Sequence, residues 1–253
     1  MVSPSAGGAI ALAALLTAAA CDAPPTDYER ELARLDARIA GLEAGDAATA
    51  ERPCSVRTEL TAAYWRRAMM TGEARDRERA RGAAESTPDC GCPSCVQREI
   101  LRIRLDLHEH RVLSAVAALA RLEPALSAST ADELRAEIEA QCGNVAAARA
   151  RLERATRSRG DWASLLSLAV LEQDHGRGER AEELYTAAQS LMTAKEMRAF
   201  AWAELQRGRL DDRSGRAADA LRHFRRADRA YSGYWLTHRL LAGLPVPGDA
   251  LPR

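Results

Sequence analysis

Cysteine is the residue type of this chain whose side chains could do chemistry, because there are several of them and some are closely spaced. The 253-residue sequence has six cysteines: Cys21, Cys54, Cys90, Cys92, Cys95 and Cys142. Cysteines form disulfides in oxidising compartments, bind zinc as thiolates, or exchange disulfides with other thiols. Which chemistry applies depends on the compartment of the protein and on the elements that carry the cysteines.

Disulfide formation is the first expectation, because the chain also carries an export signal, described below. The candidates are Cys54 and the cysteine cluster, which is Cys90, Cys92 and Cys95. Four cysteines allow three pairings, and the sequence does not choose among them. A bridge from Cys54 to the cluster would close a loop of about forty residues and stabilise the fold by roughly 4 kcal/mol. Cys142 ends a predicted helix and is expected to be a small buried residue outside the pairing.

The cysteine cluster leaves two other interpretations open. Its three thiolates and that of Cys54 could bind zinc, but a single CxCxxC segment lacks the paired spacing that makes zinc motifs specific. The CPSC segment at residues 92–95 could exchange disulfides, but no thioredoxin-like strand pattern surrounds it. We therefore predict no metal and no cofactor.

Other side chains give no recognisable catalytic pattern. His108 and His110 are two apart on a predicted helix, so they point to nearly opposite sides and cannot bind one metal together. The sequence has no nucleophile elbow, HExxH motif, phosphate-binding glycine loop or paired carboxylates in a familiar frame. Lys and Arg number 36, as do Asp and Glu, so no net charge favours nucleic acid. We expect neither an enzyme nor a nucleic-acid-binding protein.

An apolar run precedes Cys21. Residues 9–20 are a stretch of about twelve apolar and small residues, too short to span a bilayer and typical of a signal-peptide core. The letters TAAAC at its end resemble the lipobox of bacterial lipoproteins. That resemblance implies that residues 1–20 are a signal peptide and that Cys21 carries a lipid. It also implies export, with the protein anchored on the periplasmic or extracytoplasmic face of a membrane. The alternative is an ordinary secretory signal.

Residues 21–53 are predicted to form a tether followed by one helix. Pro24 and Pro25 favour an extended start. Apolar residues then recur in steps of four and three, at Tyr28, Leu32, Leu35, Ile39 and Leu42. Such a seam packs against the next helix, projects as a stalk or forms a short coiled coil, so weak self-association through residues 28–42 stays open.

Residues 54–95 are predicted to form a helical segment that ends in the cysteine cluster. Leu60, Tyr64 and Trp65 indicate a helix over about residues 56–70. The stretch at residues 72–87 has almost nothing to bury, and its mixed charges are typical of a solvated helix or of disorder.

From residue 96 the sequence becomes repetitive. Three segments share a glycine, an alanine five residues later, a large apolar residue nine later and an alanine twelve later. The sets are Gly143, Ala148, Leu152 and Ala155; Gly176, Ala181, Tyr185 and Ala188; and Gly215, Ala220, Phe224 and Ala227. An earlier unit keeps Ala115 and Leu119 but has no glycine. Gly208 offers an alternative turn for the last unit, which would make residues 208–215 an inserted loop.

This spacing has a physical reason and a family resemblance. Glycine allows the positive φ of a tight turn between antiparallel helices, and the small alanine lets the two helices approach closely. The pattern resembles the second half of the tetratricopeptide repeat, and Leu165, Leu168 and Ala169 match its first half. The resemblance implies an all-α solenoid of antiparallel helical hairpins over residues 96–231. N-terminal helices precede the solenoid, and a capping helix and tail follow at residues 232–253.

The family resemblance also implies a function. In tetratricopeptide proteins the first helix of each repeat lines a concave groove that takes an extended peptide or a partner helix. By register, the groove residues of this chain are Glu133, Glu137, Leu166, Val170, Gln173 and Asp174. The sequence therefore favours a membrane-tethered scaffold of the bacterial cell envelope that binds a protein or peptide. The alternative is a thiol- or metal-dependent envelope factor that uses the cysteine cluster.

Overall fold

The computed structural model describes residues 24–48, 54–86 and 93–243. Within these ranges the chain forms α-helices, two short 3-10 turns and connecting loops, and no β-strand. The predicted all-α fold is confirmed, and it agrees with a composition rich in Ala, Leu and Arg, which lose little free energy on entering a helix. The predicted signal peptide, Cys21, Cys90 and Cys92 lie outside the described residues.

Twelve helices lie within the described ranges. They are α1 (Asp27–Ala48), α2 (Cys54–Thr71), α3 (Ala74–Glu85), α4 (Pro93–His108), α5 (Val112–Leu122), α6 (Ala128–Gln141), α7 (Val145–Arg159), α8 (Trp162–Asp174), α9 (Gly178–Ser190), α10 (Met197–Arg213), α11 (Ala217–Ala230) and α12 (Trp235–Leu241). The 3-10 turns are Glu123–Ala125 and Ala194–Glu196. From α2 to α11 the helices pair as five hairpins, each with a first helix (α2, α4, α6, α8, α10) and a second helix (α3, α5, α7, α9, α11).

A residue in the left-handed backbone region lies in the turn of each of these hairpins. These turn residues are Gly72 (φ 74°), His110 (φ 57°), Gly143 (φ 80°), Gly176 (φ 75°) and Gly215 (φ 72°). Each second helix begins two residues later. In four hairpins the residue after the turn residue donates its backbone N–H to the carbonyl five residues back, over 2.7–2.9 Å, as in a Schellman motif. His110 thus takes the place of the glycine that the earlier unit lacks.

The predicted alanines lie where the two helices of a hairpin meet. Five residues after the turn residue stand Ala115, Ala148, Ala181 and Ala220, all at most 2% exposed. Nine residues after it stand Leu119, Leu152, Tyr185 and Phe224, all buried. A larger side chain at the first position would hold the helix axes apart, so the sequence spacing marks the helix contact.

Gly208 lies inside α10 and is not a turn residue. A Cβ at this position would come within 2.6 Å of Cδ1 of Phe224 on α11, so the glycine makes room for the ring. The alternative interpretation of residues 208–215 as an inserted loop is wrong, because α10 continues to Arg213. The last repeat is long because α10 has 17 residues and follows a 3-10 turn.

The first helices lie on the inner side of the solenoid. α2 contacts α4, α4 contacts α6, and α8 contacts α10, whereas no two second helices pack closely within the described ranges. Each second helix up to α9 packs instead against the first helix of the next hairpin. Apart from α6 and α8, the first helices thus approach one another along the stack, and we call the face that they form the inner side.

The two ends of the described chain meet. The ring of Tyr28 on α1 packs against Tyr231 and Tyr234, with ring centroids 6.3 Å and 5.7 Å apart. The backbone N–H of Tyr28 donates to the Ser232 carbonyl over 3.1 Å. The expected capping helix is α12, and its Trp235 indole N–H donates to the carbonyl of residue 70, at the end of α2, over 2.7 Å. The last helices therefore contact the first ones as well as the last hairpin.

The apolar seam of α1 packs against the following helices. Leu35 and Ile39 are buried in one cluster with Leu60, Tyr64 and Leu105 from α2 and α4. This is the first of the three alternatives for the seam, and self-association through residues 28–42 stays an untested prediction. None of the described helices is long and apolar enough to cross a membrane.

The polar stretch after α2 is helical. It forms α3, which buries Ala80 and Ala84 against its neighbours and exposes most of its charged residues. Asp76 is also buried, and its carboxylate pairs with Arg67 of α2. The stretch is therefore a solvated helix that contacts the core through two small residues.

Candidate functional site

The six predicted groove residues all lie on first helices, two on α6 and four on α8. Glu133, Leu166 and Gln173 are buried, Val170 is half-buried, and Glu137 and Asp174 are exposed. Only half of the predicted set is therefore accessible to a partner.

Glu133 is used inside the fold. Arg159 Nη1 donates to its Oε1 over 2.7 Å, and the Ser164 hydroxyl donates to the same oxygen over 3.2 Å. These partners lie at the end of α7 and the start of α8, so one buried carboxylate joins three helices. A buried charge needs such partners, because leaving it unpaired in the interior is costly.

Gln173 links two hairpins. In the orientation that satisfies both ends of its amide, the nitrogen donates to the Tyr185 hydroxyl (3.0 Å) and to the Gln206 carbonyl (3.2 Å), and the oxygen accepts from Arg213 Nη2 (2.6 Å). Burial raises the pKa of the Tyr185 phenol, so the hydroxyl stays protonated at neutral pH. This buried network fixes α8 against α9 and α10, and it brings Arg213 to the inner side.

Glu137 is accessible to solvent, but protein surrounds it on the inner side of the solenoid. Desolvation raises the pKa of its carboxyl above the ordinary value of 4.5; the charge of Arg104 on α4 opposes this shift, and Glu133 adds to it. Arg104 is half-buried, and its Nε has no hydrogen-bond partner among the described residues. On the inner side, α4 thus carries an arginine and α6 a carboxyl group whose charges are not fully paired within the fold.

The inner side of α10 is basic. Arg209 is half-buried and donates to Gln206 Oε1 over 3.0 Å, but within the described ranges it has no ion pair. Desolvation and the neighbouring Arg213 lower the pKa of Arg209, and Asp174 opposes that shift. Arg213 Nη1 lies 4.0 Å from Asp174 Oδ1, at the limit of an ion pair. The accessible Asp174 therefore neutralises only part of this positive charge.

Ion pairs at the hairpin turns escaped the sequence analysis. Three first helices have a buried acid in the last turn, paired with the arginine five residues later, just past the turn residue. The pairs are Asp106–Arg111 (2.9 Å), Glu172–Arg177 (2.5 Å) and Asp211–Arg216 (2.6 Å). An acid and an arginine five residues apart that straddle the turn residue are the signal for these pairs. In so charged a chain, sequence inspection does not separate it from ordinary surface charge.

Two of these acids also join successive hairpins. Arg81 of α3 reaches Asp106 over 3.0 Å, and Arg149 of α7 reaches Glu172 over 2.8 Å. Each carboxylate therefore receives one arginine from its own turn and one from the preceding second helix. This arrangement stabilises the stacking of the repeats and contributes no open binding site.

The cysteine pair Cys54 and Cys95 lies between α2 and α4, with the Sγ atoms 3.1 Å apart. Because Cys90 and Cys92 are outside the described residues, the disulfide and zinc interpretations of the cluster stay untested. Within the described ranges no group of three or more His, Cys, Asp or Glu residues could hold a metal ion.

The expectation that Cys142 is buried is wrong. Its side chain is exposed, because it is the last residue before the turn residue Gly143, where the chain leaves α6 and faces solvent. Cys142 is consequently open to thiol reagents.

A polar cleft of about 440 Å³ lies where the ends of the chain meet. Its walls are Tyr28, Arg67, Thr71, Glu73, Arg75, Asp76 and Trp235. No predicted groove residue lines it. Arg67 is paired there with Asp36 (2.7 Å) and with Asp76, so two of the four charged residues that line the cleft are paired within the fold.

The hairpins, their turn residues and their inner helices define an all-helical solenoid of tetratricopeptide-like repeats. No family model and no curated protein matches the sequence. Solved structures match the backbone, among them a chain titled MamA AMB-1, at 18% identity and a TM-score of 0.36, over 74% of this chain and 98% of that chain. At that TM-score the fold assignment rests on the hairpin geometry itself.

Proposed function

We propose that this protein is a membrane-tethered protein–protein interaction scaffold of the bacterial cell envelope. It binds an extended peptide or a partner helix along the concave side of the solenoid, and its role is non-catalytic. The observation that carries the proposal is the incomplete pairing of charged groups on the inner first helices, at Arg104, Glu137 and Arg209.

The physical argument concerns desolvation. The arginines at three hairpin turns form ion pairs with neighbouring carboxylates. On the inner side, protein removes water from Arg104 and Arg209 without supplying a carboxylate partner within ion-pairing distance among the described residues. A peptide supplies backbone carbonyls and side-chain acceptors, so its binding would satisfy these groups and recover part of that cost.

Apolar contact would complete the site. Val170 is a half-buried residue of the predicted groove, one helical turn before Asp174 on α8, and it contacts the central core cluster. It would add an apolar contact to a predicted groove that also contains Glu137 and Asp174, and Arg213 of α10 lies 4.0 Å from Asp174. This alternation suits a partner segment that carries both apolar and charged residues.

Site-specific photo-crosslinking tests the groove. A benzophenone amino acid at residue 170, on the inner side, is expected to yield a defined cross-linked partner in cells, and Arg209→Glu should weaken that cross-link. The matched control is residue 186 on α9, an exposed threonine of an outer helix. Equal labelling from residues 170 and 186, unaffected by Arg209→Glu, would contradict the groove.

Membrane tethering depends on Cys21. The lipobox resemblance supports acylation there, and two or more acyl chains anchor a protein stably whereas one does so only marginally. We expect Cys21→Ser to move the protein from the membrane fraction to the soluble fraction. A wild-type protein that is itself soluble would overturn the tether and leave the groove proposal standing.

A further inference from the structure

The outward face of α11, the second helix of the last hairpin, is basic. Its buried residues follow the repeat pattern, and the opposite side of the helix carries three exposed arginines at steps of three and four, which share one face. These are Arg222, Arg225 and Arg229, the α11 arginine stripe. Arg222 pairs with Asp219 one turn earlier, whereas Arg225 and Arg229 form no ion pair with any described residue. The stripe therefore presents positive charge to solvent.

The stripe is specific to the last hairpin. The same positions of the repeat hold other side chains in the two preceding second helices. They are Glu183, Thr186 and Ser190 in α9, and Ala150, Glu153 and Arg157 in α7. Hairpin packing uses the buried alanines and the large apolar residue of each repeat, so it does not require arginine at these outward positions. The three arginines are thus available to a partner outside the chain.

The stripe lies close to the point where the predicted tether joins the fold. The backbone N–H of Asp27 donates to the Ser232 hydroxyl over 3.1 Å, and Ser232 follows Arg229 by three residues. Cys21 precedes Asp27 by six residues, which span at most about 20 Å when fully extended. A lipid on Cys21 would therefore hold the C-terminal end of α11 near the membrane surface.

A membrane surface supplies the complementary charge. We propose that the α11 arginine stripe binds the anionic phospholipid headgroups of the membrane that holds the tether. A guanidinium group pairs with phosphate oxygens in a planar, bidentate geometry. Because α10 lies on the other side of α11, this contact would leave the inner side of the solenoid turned away from the bilayer. The inference rests on the membrane tether of the proposed function, but its test needs no acylation, so the two can fail separately.

Vesicle binding by the full-length Cys21→Ser chain tests the stripe without the lipid anchor. Co-sedimentation at millimolar lipid and low salt compares phosphatidylcholine vesicles that contain phosphatidylglycerol with vesicles that lack it. We expect stronger binding to the anionic vesicles, and a loss of that preference as added salt screens the charges. Arg225→Gln and Arg229→Gln should each weaken the binding that depends on phosphatidylglycerol by about five-fold.

The matched control removes three exposed arginines from the other outer helices. The stripe variant is Arg222→Gln/Arg225→Gln/Arg229→Gln, and the control from α5, α7 and α9 is Arg121→Gln/Arg157→Gln/Arg180→Gln. Both variants lose the same charge and keep the apolar residues 9–20, so only the position of the charge differs between them. Only the stripe variant should lose its preference for the anionic vesicles.

Two outcomes would overturn the proposal. One is an equal loss in the stripe variant and the control, and the other is a Cys21→Ser chain that binds neutral and anionic vesicles alike. If the stripe variant loses its helical circular dichroism, the single variants at Arg225 and Arg229 decide between these outcomes.

Lipid cross-linking locates the contact on the protein. A benzophenone amino acid at residue 218, an exposed alanine beside the stripe on α11, should cross-link to lipid in the anionic vesicles. The same amino acid at residue 186 on the outer side of α9 should not. A cross-link from residue 218 to an acidic protein in cells, without any cross-link to lipid, would assign the stripe to a protein partner and contradict the proposal.

Discussion

The repeat hairpins α6–α11 and the N-terminal hairpin α2–α3 each turn at a glycine with positive φ, but different contacts hold their two helices together. In the repeats, the position five residues after the turn glycine is a buried alanine. In the N-terminal hairpin the same count from Gly72 reaches Arg77, and nine residues reach Arg81, both half-buried. Arg81 forms ion pairs with the next hairpin, at Asp106 and Glu109.

The two regions therefore differ in the contacts that stabilise them. A repeat hairpin interlocks through apolar contacts that follow its turn residue. The α2–α3 hairpin has contacts of its own, through Ala80 and the Arg67–Asp76 pair, but it also depends on the α1 seam, on ion pairs to α4 and on the end of the chain at α12. We therefore expect the repeats to be sensitive to local packing changes and the N-terminal helices to be sensitive to distant contacts.

The largest effect is expected from Ala181→Leu in the middle repeat. Ala181 is fully buried between α8 and α9, and overpacking a close contact typically costs about 1–3 kcal/mol. Thermal or urea unfolding of the variant measures the loss. Leu and Ala have similar helix propensities, so propensity does not account for a loss of that size.

Glu183→Leu is the control for Ala181→Leu, because Glu183 is exposed on the same helix. We expect a change within about 0.5 kcal/mol there. The repeat register predicts that Glu182 also projects outward, but its carboxylate accepts from Arg207 Nε of α10 over 3.0 Å, so Glu182 is not a neutral control. Equal losses at residues 181 and 183 would remove the special role of the alanine.

A smaller effect is expected at the turns. Gly143 has φ 80°, where an L side chain is strained, so Gly143→Ala should destabilise the chain by about 1 kcal/mol. His110 is exposed at the equivalent turn with φ 57°, so His110→Gly should be neutral or stabilising. Urea unfolding of both variants checks the opposite signs. A clear loss from His110→Gly would mean that its ring makes a contact that outweighs the strain.

The smallest effect is expected in the stability at low pH, through the contact between the chain ends. Desolvation would raise the pKa of Glu31, but the hydrogen bond from Arg66 and the charge of Arg198 outweigh it and lower the pKa below 4.5. A carboxyl whose folded pKa is lowered stabilises the fold above its unfolded pKa, and that stabilisation is lost as the pH falls. Glu31→Gln should therefore lose less stability than wild type between pH 6 and pH 3 in thermal melts. An identical acid response would show that this carboxylate does not contribute.

Sequence patterns predict much of this fold. The alanine and glycine spacing predicts three hairpins and their registers, and the apolar seam from Tyr28 predicts α1. The turn at His110 escapes prediction because a histidine at positive φ is set by the surrounding helices and not by its own preference. Gly208 is ambiguous in sequence for a similar reason: a glycine marks a turn or a close approach, and only the position of Phe224 distinguishes them.

The candidate groove is predicted less well than the fold. The repeat register places the six residues on first helices. It cannot show that the side chains of Glu133 and Gln173 are already hydrogen-bonded within the fold, to Arg159 and Tyr185. The basic pair Arg209 and Arg213 escapes the repeat match because α10 is longer than the other first helices. Contacts between distant segments, such as Tyr28 with Tyr234, have no local sequence signal at all.

Native-state hydrogen exchange of wild type and Tyr28→Ala tests the central difference most directly. Tyr28 joins α1 to the Tyr231 and Tyr234 rings, so its removal should speed amide exchange in α1–α3 and in α12. Amides of α8 and α9 should keep their wild-type protection, because that hairpin is held by its own core. Uniformly faster exchange in all helices, or no change in α1–α3, would contradict the account.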